Sequence, residues 1–152
     1  MQQRIDVTKV SPAVYKAVSA LQSYVDQSGL DAKLRELIKI RASQINGCAY
    51  CLAMHTRDAR KLGETEERMD LLNAWREAPV YSARERAALG WIEAITLVTK
   101  GHVSDEAFDA VRKQFSEKEI VDLTAAAVAI NGWNRIAIAF RVPPQIESRK
   151  AA

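Results

Sequence analysis

The sequence predicts an all-α protein of about seven helices, folded as a single domain over residues 1–152. Apolar residues recur every three or four positions in most segments, whereas the alternation typical of strands is almost absent. Residues that cap helices precede these segments, and Gly or Pro often follows them. A length of 152 residues with 48% hydrophobic residues is typical of one globular domain with a substantial core.

The first long helix is predicted to begin at Ser11 and Pro12, an N-cap followed by proline at the first helical position, and to end near Gly29. Its apolar stripe comprises Val14, Val18, Leu21 and Val25. Asp31 caps the next predicted helix, over residues 31–46. The apolar face of that helix holds Leu34, Ile38, Ala42 and Ile45. The pattern predicts that this second helix is buried on more than one side.

Capping signals also divide the middle of the chain. Thr65 is predicted to open a short helix. Ser82 and Glu85 form a capping box at the start of the helix that follows. We expect that helix to run without interruption to Lys100 and Gly101.

Two further helices are predicted after this point. The first begins at Ser104 and ends near Phe115. Ser116 and Glu119 form a second capping box, and the last helix is predicted to run from it to about Arg141. This last helix is rich in Ala and Ile, which favours close helix packing.

Charge and hydropathy exclude several classes of function. The net charge of +3 is spread over interspersed acidic and basic residues, so no basic stripe indicates nucleic-acid binding. The first ten residues lack the apolar core of a signal peptide, and no apolar run approaches the roughly 18 residues that span a bilayer. We therefore expect a cytoplasmic protein without a membrane partner. Cysteines in that compartment are more often redox-active or metal-binding than structural.

Residues 36–55, with the sequence ELIKIRASQINGCAYCLAMH, contain both cysteines and one of the two histidines. Cys48 and Cys51 form a Cys-x-x-Cys pair at the predicted start of a helix over residues 48–62. There the unpaired N–H groups and the positive end of the helix dipole favour thiolate over thiol. His55 follows Cys51 by four residues, so its ring is expected one turn along the same face, within reach of the thiol proton.

A carboxylate is expected on the other side of the same hairpin. Gly47 can adopt the left-handed conformation that ends a helix, so the two helices are predicted to fold back on each other around it. Glu36 and His55 then lie at similar distances from the turn and can meet. The sequence therefore predicts a proton relay in which Glu36 orients or charges His55, and His55 takes the proton of Cys51.

Other interpretations of the same residues remain open. Two buried thiols can simply pack as small hydrophobic groups. Cys48, Cys51 and His55 could also supply three zinc ligands, with His102 as a conceivable fourth. Glu36 could be an ordinary exposed helix carboxylate.

Several further side chains have two interpretations each. Arg41 either forms an internal ion pair or contacts an anionic substrate. Tyr50 either flanks the sulfurs or covers the core. The polar residues of the last helix either form structural or intersubunit contacts or line the active site; they are Asn131, Asn134 and Arg135. Core or interface packing is favoured over cofactor stacking for Trp75, Trp91 and Trp133.

At residues 36–55 the chain resembles the alkylhydroperoxidase AhpD-like proteins of the carboxymuconolactone decarboxylase superfamily. The family pattern is Glu, Cys-x-x-Cys twelve residues later and His four residues after the second Cys, which Glu36, Cys48, Cys51 and His55 match. The phrase SQINGCAYC is itself characteristic. Some members carry a second histidine where this chain has Tyr50. Weaker similarity in the segment WREAPVYSARERAALGWIEAITLV and in the last helix extends the resemblance over most of the chain after about Leu34.

The resemblance implies a helical AhpD-like fold and a hydroperoxide reductase without metal or flavin cofactor, whose catalytic residues are the four just named. It also implies recycling by a dithiol reductant, such as a lipoyl group on another protein, and a homo-oligomer, trimer or hexamer. Cys51 is the predicted attacking cysteine because it shares a face with His55, and Cys48 is expected to resolve and to meet the external reductant. The opposite assignment stays open, because the first cysteine of such a pair often has the lower pKa.

Three alternative functions are compatible with the sequence. One is a carboxymuconolactone decarboxylase-type enzyme acting on a lactone acid, although such relatives generally lack the redox pair. Another is a general dithiol–disulfide oxidoreductase. The third is a zinc-binding or purely structural helical module.

Overall fold

The computed structural model describes residues 2–146, and these form nine α-helices with no strand among them. The helices are α1 (Val7–Val10), α2 (Pro12–Gln27), α3 (Ala32–Asn46), α4 (Ala49–Lys61), α5 (Glu66–Leu71), α6 (Ala83–Thr96), α7 (Val98–Gly101), α8 (Asp105–Arg112) and α9 (Glu117–Phe140). A short 3₁₀ helix, Leu72–Ala74, follows α5. The predicted all-α class is confirmed. The prediction of one domain over residues 1–152 remains a prediction, because Met1 and residues 147–152 lie outside the described residues.

Helix α3 lies at the centre of the structure, in contact with α4, α6 and α9. Its buried apolar residues surround the helix instead of forming one stripe, as its sequence pattern predicts; they are Leu34, Leu37, Ile38, Ile40 and Ala42. The same helix buries Glu36 and Lys39, which therefore require partners inside the protein. The other wall of the core comes from α9, which also packs against α2 and α6.

The turn between α3 and α4 positions the two cysteines. Gly47 has φ 70° and ψ 34°, the left-handed conformation, and its N–H caps the end of α3. Cys48 follows directly as the N-cap of α4, and its sulfur accepts a hydrogen bond from the Cys51 N–H at 3.3 Å. The predicted hairpin is therefore present, with both sulfurs at the first turn of the second helix.

The two predicted capping boxes are both present. Ser82 and Glu85 cap α6 reciprocally, and Ser116 and Glu119 do the same for α9. In each box the serine hydroxyl accepts from the glutamate N–H, and the glutamate carboxylate accepts from the serine N–H.

The helix count differs from the predicted seven because of two four-residue helices. Helix α1 was not predicted; Asp6 caps it by accepting a hydrogen bond from the Thr8 N–H. The helix predicted to run from Ser82 to Gly101 is interrupted at Leu97, whose backbone leaves the helical region at φ −100° and ψ 23°. Helix α7 begins at Val98, directly after this break.

Helix α9 is, among residues 2–146, the one helix long and apolar enough to cross a bilayer by length and composition. This differs from the expectation that no segment would approach that limit. The same test is passed by core helices of globular proteins, and α9 packs against α2, α3, α4, α6 and α8. It also buries Asp122 and Asn134, both hydrogen-bonded within the protein. These contacts identify α9 as a core helix of this fold.

Candidate active site

A cavity of about 570 Å³ lies beside the hairpin of α3 and α4 and is lined by side chains from α1, α2, α3, α4 and α9. Cys51 and His55 both face it. Its apolar wall includes three aromatic side chains, Tyr15, Tyr50 and Trp133. Its acidic lining comprises Asp6, Asp26, Glu36 and Asp58. A basic residue, Lys39, also lines the cavity.

The segment that precedes α1 forms part of the cavity wall. Arg4 fastens it to the end of α9: its backbone N–H donates to the Phe140 carbonyl at 2.9 Å, and its guanidinium donates to the Ala139 carbonyl at 3.2 Å. Gln3 and Val7 on either side of Arg4 line the cavity.

Cys48 and Cys51 are joined by a disulfide, with their Cα atoms 5.4 Å apart. Both residues are 1% exposed. Of the two, Cys51 lines the cavity and Cys48 does not. The cavity lining favours Cys51 over Cys48 as the sulfur that an entering molecule meets, whereas the expectation that Cys48 meets the external reductant stays a prediction.

Glu36 and His55 meet across the hairpin. Oε2 of Glu36 lies 2.7 Å from Nδ1 of His55, and the two residues are 9% and 7% exposed. With Nδ1 occupied by the carboxylate, Nε2 is the ring nitrogen left for proton exchange. Glu36 and His55, which were predicted to meet in the relay, are thus in contact, whereas their catalytic roles remain predictions.

Lys39 is a member of this site that sequence reasoning missed. Its Nζ donates to Oε1 of Glu36 at 2.9 Å, and the lysine is only 5% exposed. Burial raises the pKa of the Glu36 carboxyl, but the hydrogen bonds and charges of His55 and Lys39 lower it by more. The net pKa of Glu36 lies below its ordinary value. A lysine one turn after a glutamate inside an apolar helix was the available signal.

The asparagines of α9 hold the end of α3 in place. Asn46 donates to the side-chain oxygens of Asn131 and Asn134, at 2.9 and 2.8 Å. Asn134 in turn donates to Ser43, and Arg135 donates to the Asn131 carbonyl and side chain. These side chains have structural hydrogen bonds, and they fix the helix end from which Gly47 turns.

Arg41 forms an internal ion pair instead of facing the cavity. Its Nε lies 2.6 Å from Oε1 of Glu93, which also accepts from the Trp75 indole at 2.9 Å. Arg76 binds the second oxygen of the same carboxylate at 2.5 Å. Burial raises the pKa of Glu93, but the hydrogen bonds from Trp75, Arg41 and Arg76 outweigh it and leave that pKa below its ordinary value.

The three tryptophans have different environments. Trp75 and Trp91 belong to the buried core, as predicted. Trp133 instead lines the cavity, where its ring meets that of Tyr15 edge-on at a centroid distance of 5.2 Å. Tyr50 both lines the cavity and packs against the core, so its two predicted positions are not exclusive.

The ligand set considered for zinc is not assembled. His102 lines a second cavity, with Trp91 and Lys100, whereas His55 and Cys51 line the first. Within residues 2–146 no group of three or more His, Cys, Asp or Glu side chains is arranged to hold a metal ion.

The model of the carboxymuconolactone decarboxylase family matches residues 12–94, more than half of the chain and all of the redox hairpin. The chain belongs to this family. YdfG of Bacillus subtilis, an uncharacterized protein, is 47% identical over 139 residues, which cover 91% of this chain and 95% of that protein.

Solved structures of family members share the fold. A protein of unknown function from Agrobacterium tumefaciens, provisionally described as the antioxidant defence protein AhpD, is 47% identical with a TM-score of 0.93 and covers 96% of this chain and 100% of its own. An alkylhydroperoxidase AhpD core protein from Ralstonia eutropha, peroxidase-related and uncharacterized, is 22% identical with a TM-score of 0.79, covering 91% of this chain and 74% of its own. At 22% the similarity shows the fold alone. The chain therefore has the AhpD-like fold.

Proposed function

We propose that this family member is a thiol-dependent hydroperoxide reductase in which Cys48 and Cys51 form the redox pair. The observation that carries the proposal is the placement of Cys51 and His55 in one cavity, with Oε2 of Glu36 2.7 Å from Nδ1 of the imidazole. A nucleophile beside a base that a third group orients is the arrangement that activates a thiol.

The catalytic cycle begins with the reduced pair. His55 takes the proton of Cys51, and the thiolate attacks the terminal oxygen of a hydroperoxide ROOH. The S–O bond forms as the O–O bond breaks, and the leaving alkoxide takes a proton to become ROH. Cys48 then attacks the sulfenic acid and releases water, which gives the disulfide between the two cysteines.

A dithiol reductant completes the cycle. One of its thiolates attacks Cys51 from the cavity, and Cys48 leaves. The Cys51 N–H and the N-terminus of α4 stabilise the departing Cys48 thiolate, and a stabilised thiolate leaves faster. The second thiol of the reductant displaces Cys51. The sum is ROOH plus dithiol giving ROH, water and the oxidised reductant, with no metal or flavin, and a lipoyl group on a carrier protein would supply such a dithiol.

A general dithiol–disulfide oxidoreductase is the second candidate, because the same N-cap geometry of Cys48 favours thiol exchange without any peroxide. A lactone-acid decarboxylase is less well supported, since the cavity lining carries four carboxylates and one lysine, a balance that disfavours a carboxylate substrate.

The test compares peroxide consumption by the wild type, Cys51→Ser and Cys48→Ser with reduced lipoamide as donor. We expect both variants to lose turnover, and only Cys48→Ser to label with dimedone after one equivalent of peroxide. Dimedone labelling of Cys51→Ser alone would reverse the cysteine roles. Thiol exchange in the wild type without peroxide consumption would favour the second candidate.

We also propose a cytoplasmic homo-oligomer, a trimer or hexamer, without membrane or nucleic-acid partners. Val121 and Val128 are 61% and 53% exposed on one face of α9, and burial of such a face against another subunit would be favourable. Light scattering at micromolar concentration tests the assembly, and a monomer would exclude it.

A further inference from the structure

Lys39 is a buried cation that the catalytic cycle above does not use. Its Nζ lies 2.9 Å from Oε1 of Glu36 and 3.9 Å from Oδ1 of Asp26. Removing an ammonium group from water is unfavourable unless it is paired, and apolar replacements of buried ion pairs are often equally stable. A role in the chemistry of the cavity would explain a lysine at this position.

The two oxygens of Glu36 have different partners. Oε1 accepts from Lys39, and Oε2 makes the contact with His55. The terminal torsion of a glutamate is broad, so a carboxylate held at one oxygen can still rotate. Contacts at both oxygens fix the plane of the carboxylate, and with it the direction from which Nδ1 is held.

We propose that Lys39 is a positioning residue of the redox site, an inference that rests on the proposed function. It holds Glu36 ionised and aligned, so that His55 presents Nε2 towards the cavity. It acts on the reacting sulfur only through these two side chains.

The charged groups around Glu36 determine what the loss of Lys39 would do. Helix α2 contributes Asp26, which is paired with Arg35 at 3.4 Å. Helix α4 contributes His55 and Asp58, and Asp6 precedes α1. The phenol groups of Tyr15 and Tyr50 also face the cavity, and α9 contributes the side chains of Trp133, Ile136 and Ala137.

Without Lys39 the lining would retain its acidic residues and lose its lysine. Lys39 is one of the groups that lower the pKa of Glu36, so its removal would favour the protonated acid. The reactivity of the Cys51 thiol falls as the pH is lowered, and this fall, the acid limb of its pH profile, would then occur at higher pH. A charge within 4 Å typically changes a pKa by about one unit or more.

The experiment measures the pH dependence of Cys51 alkylation by iodoacetamide in the reduced protein, beside that of peroxide consumption. We expect the acid limb of both to rise by about one pH unit in Lys39→Met and to return towards that of the wild type in Lys39→Arg. Lys33→Met is the matched control, because Lys33 lies on the same helix and binds the Gly63 carbonyl at 3.1 Å, away from the cavity. The acid limb of Lys33→Met should coincide with that of the wild type.

A second pair of variants tests whether Lys39 acts through Glu36. In a Glu36→Gln background, adding Lys39→Met should produce no further shift, because the carboxylate that it positions is absent. An equal shift in both backgrounds would overturn the proposal, as would an unmoved limb in Lys39→Met. Should Lys39→Met fail to fold, Lys39→Ala also removes both the charge and the donor, and an unmoved acid limb in that variant would overturn the proposal equally.

Alkylation needs no peroxide, so the two proposals fail separately. A wild type that alkylates with the expected limb but consumes no peroxide would count against the hydroperoxide reductase and leave the role of Lys39 intact.

Discussion

Oε2 of Glu36 and Nδ1 of His55 lie 2.7 Å apart, although 19 residues separate them along the chain. The contact exists because α3 and α4 fold back on each other at Gly47, which brings positions on either side of the turn into register. One consequence is that Nδ1 of the imidazole is occupied by the carboxylate, which leaves Nε2 for proton exchange. Another is that a carboxylate buried at this depth depends on its partners for its charge.

His55→Ala should reduce the rate constant of Cys51 with hydroperoxide by about a hundredfold, because a positioned general base contributes on that order. Stopped-flow peroxide consumption measures it. Glu36→Gln should have a smaller effect in the same direction, since it leaves the base and removes only its orienting charge. His102→Ala is the control: this histidine lines a different cavity, and its loss should leave the rate unchanged. Full activity in His55→Ala would refute the relay.

The free energy of unfolding should depend on pH through Glu36. Its folded-state pKa lies below the 4.5 of an unperturbed glutamate, so its contribution is complete above that value and is lost as pH falls through the lower folded-state pKa. Urea unfolding at about pH 6 and about pH 3 should therefore show a smaller loss of stability in Glu36→Gln than in the wild type.

The control for this pH dependence is Glu117→Gln, a change at an exposed position that should follow the wild type. An identical loss of stability in Glu36→Gln and the wild type would mean that the buried carboxylate has no net linkage to folding.

Gly47→Ala should destabilise the protein by about 1 kcal/mol or more, because a Cβ is unfavourable in the left-handed conformation. No neighbouring atom lies within 4 Å of the position a Cβ would take, so the cost comes from the backbone and not from a clash. Gly101→Ala, in α7 and equally free of neighbours, should be neutral or slightly stabilising. Equal effects of the two substitutions in thermal unfolding would contradict the backbone explanation.

The acidic lining should make the enzyme prefer uncharged hydroperoxides. At low ionic strength we expect kcat/KM for cumene hydroperoxide to exceed that for an anionic fatty-acid hydroperoxide by about tenfold, and added salt should narrow the ratio. Asp58→Asn should narrow it as well, since this partly exposed carboxylate is part of the lining. A ratio insensitive to both salt and Asp58→Asn would show that shape, not charge, selects the substrate.

The sequence predicted those parts of the fold that depend on local signals. Ser82 with Glu85 and Ser116 with Glu119 mark helix starts because both partners of each box lie within one turn. The hairpin was predictable for the same reason, since Gly47 ends one helix and Cys48 begins the next. The break at Leu97 was not, because the apolar pattern continues across it and no Gly or Pro marks it.

The parts of the site that were missed depend on contacts between distant segments. Tyr15 and Trp133 meet across the cavity from α2 and α9, and no local pattern relates two positions so far apart. Lys39 was overlooked for a different reason: on a helix, a lysine three residues after a glutamate usually forms an ordinary exposed pair. Here the pair is buried because α4, which carries His55, and α2, which carries Asp26, both lie against it.

Arg4 fastens the segment before α1 to the end of α9. Part of the cavity wall therefore belongs to a different segment of the chain from the hairpin that carries the two cysteines. Gln3, Val7 and Thr8 could be exchanged to enlarge, narrow or recharge the cavity while Arg4 keeps the segment in place and the α3–α4 hairpin is unchanged. For library design this short stretch is the first place to randomise when a new substrate range is wanted. It would also let homologues diverge in specificity while their reaction stays the same.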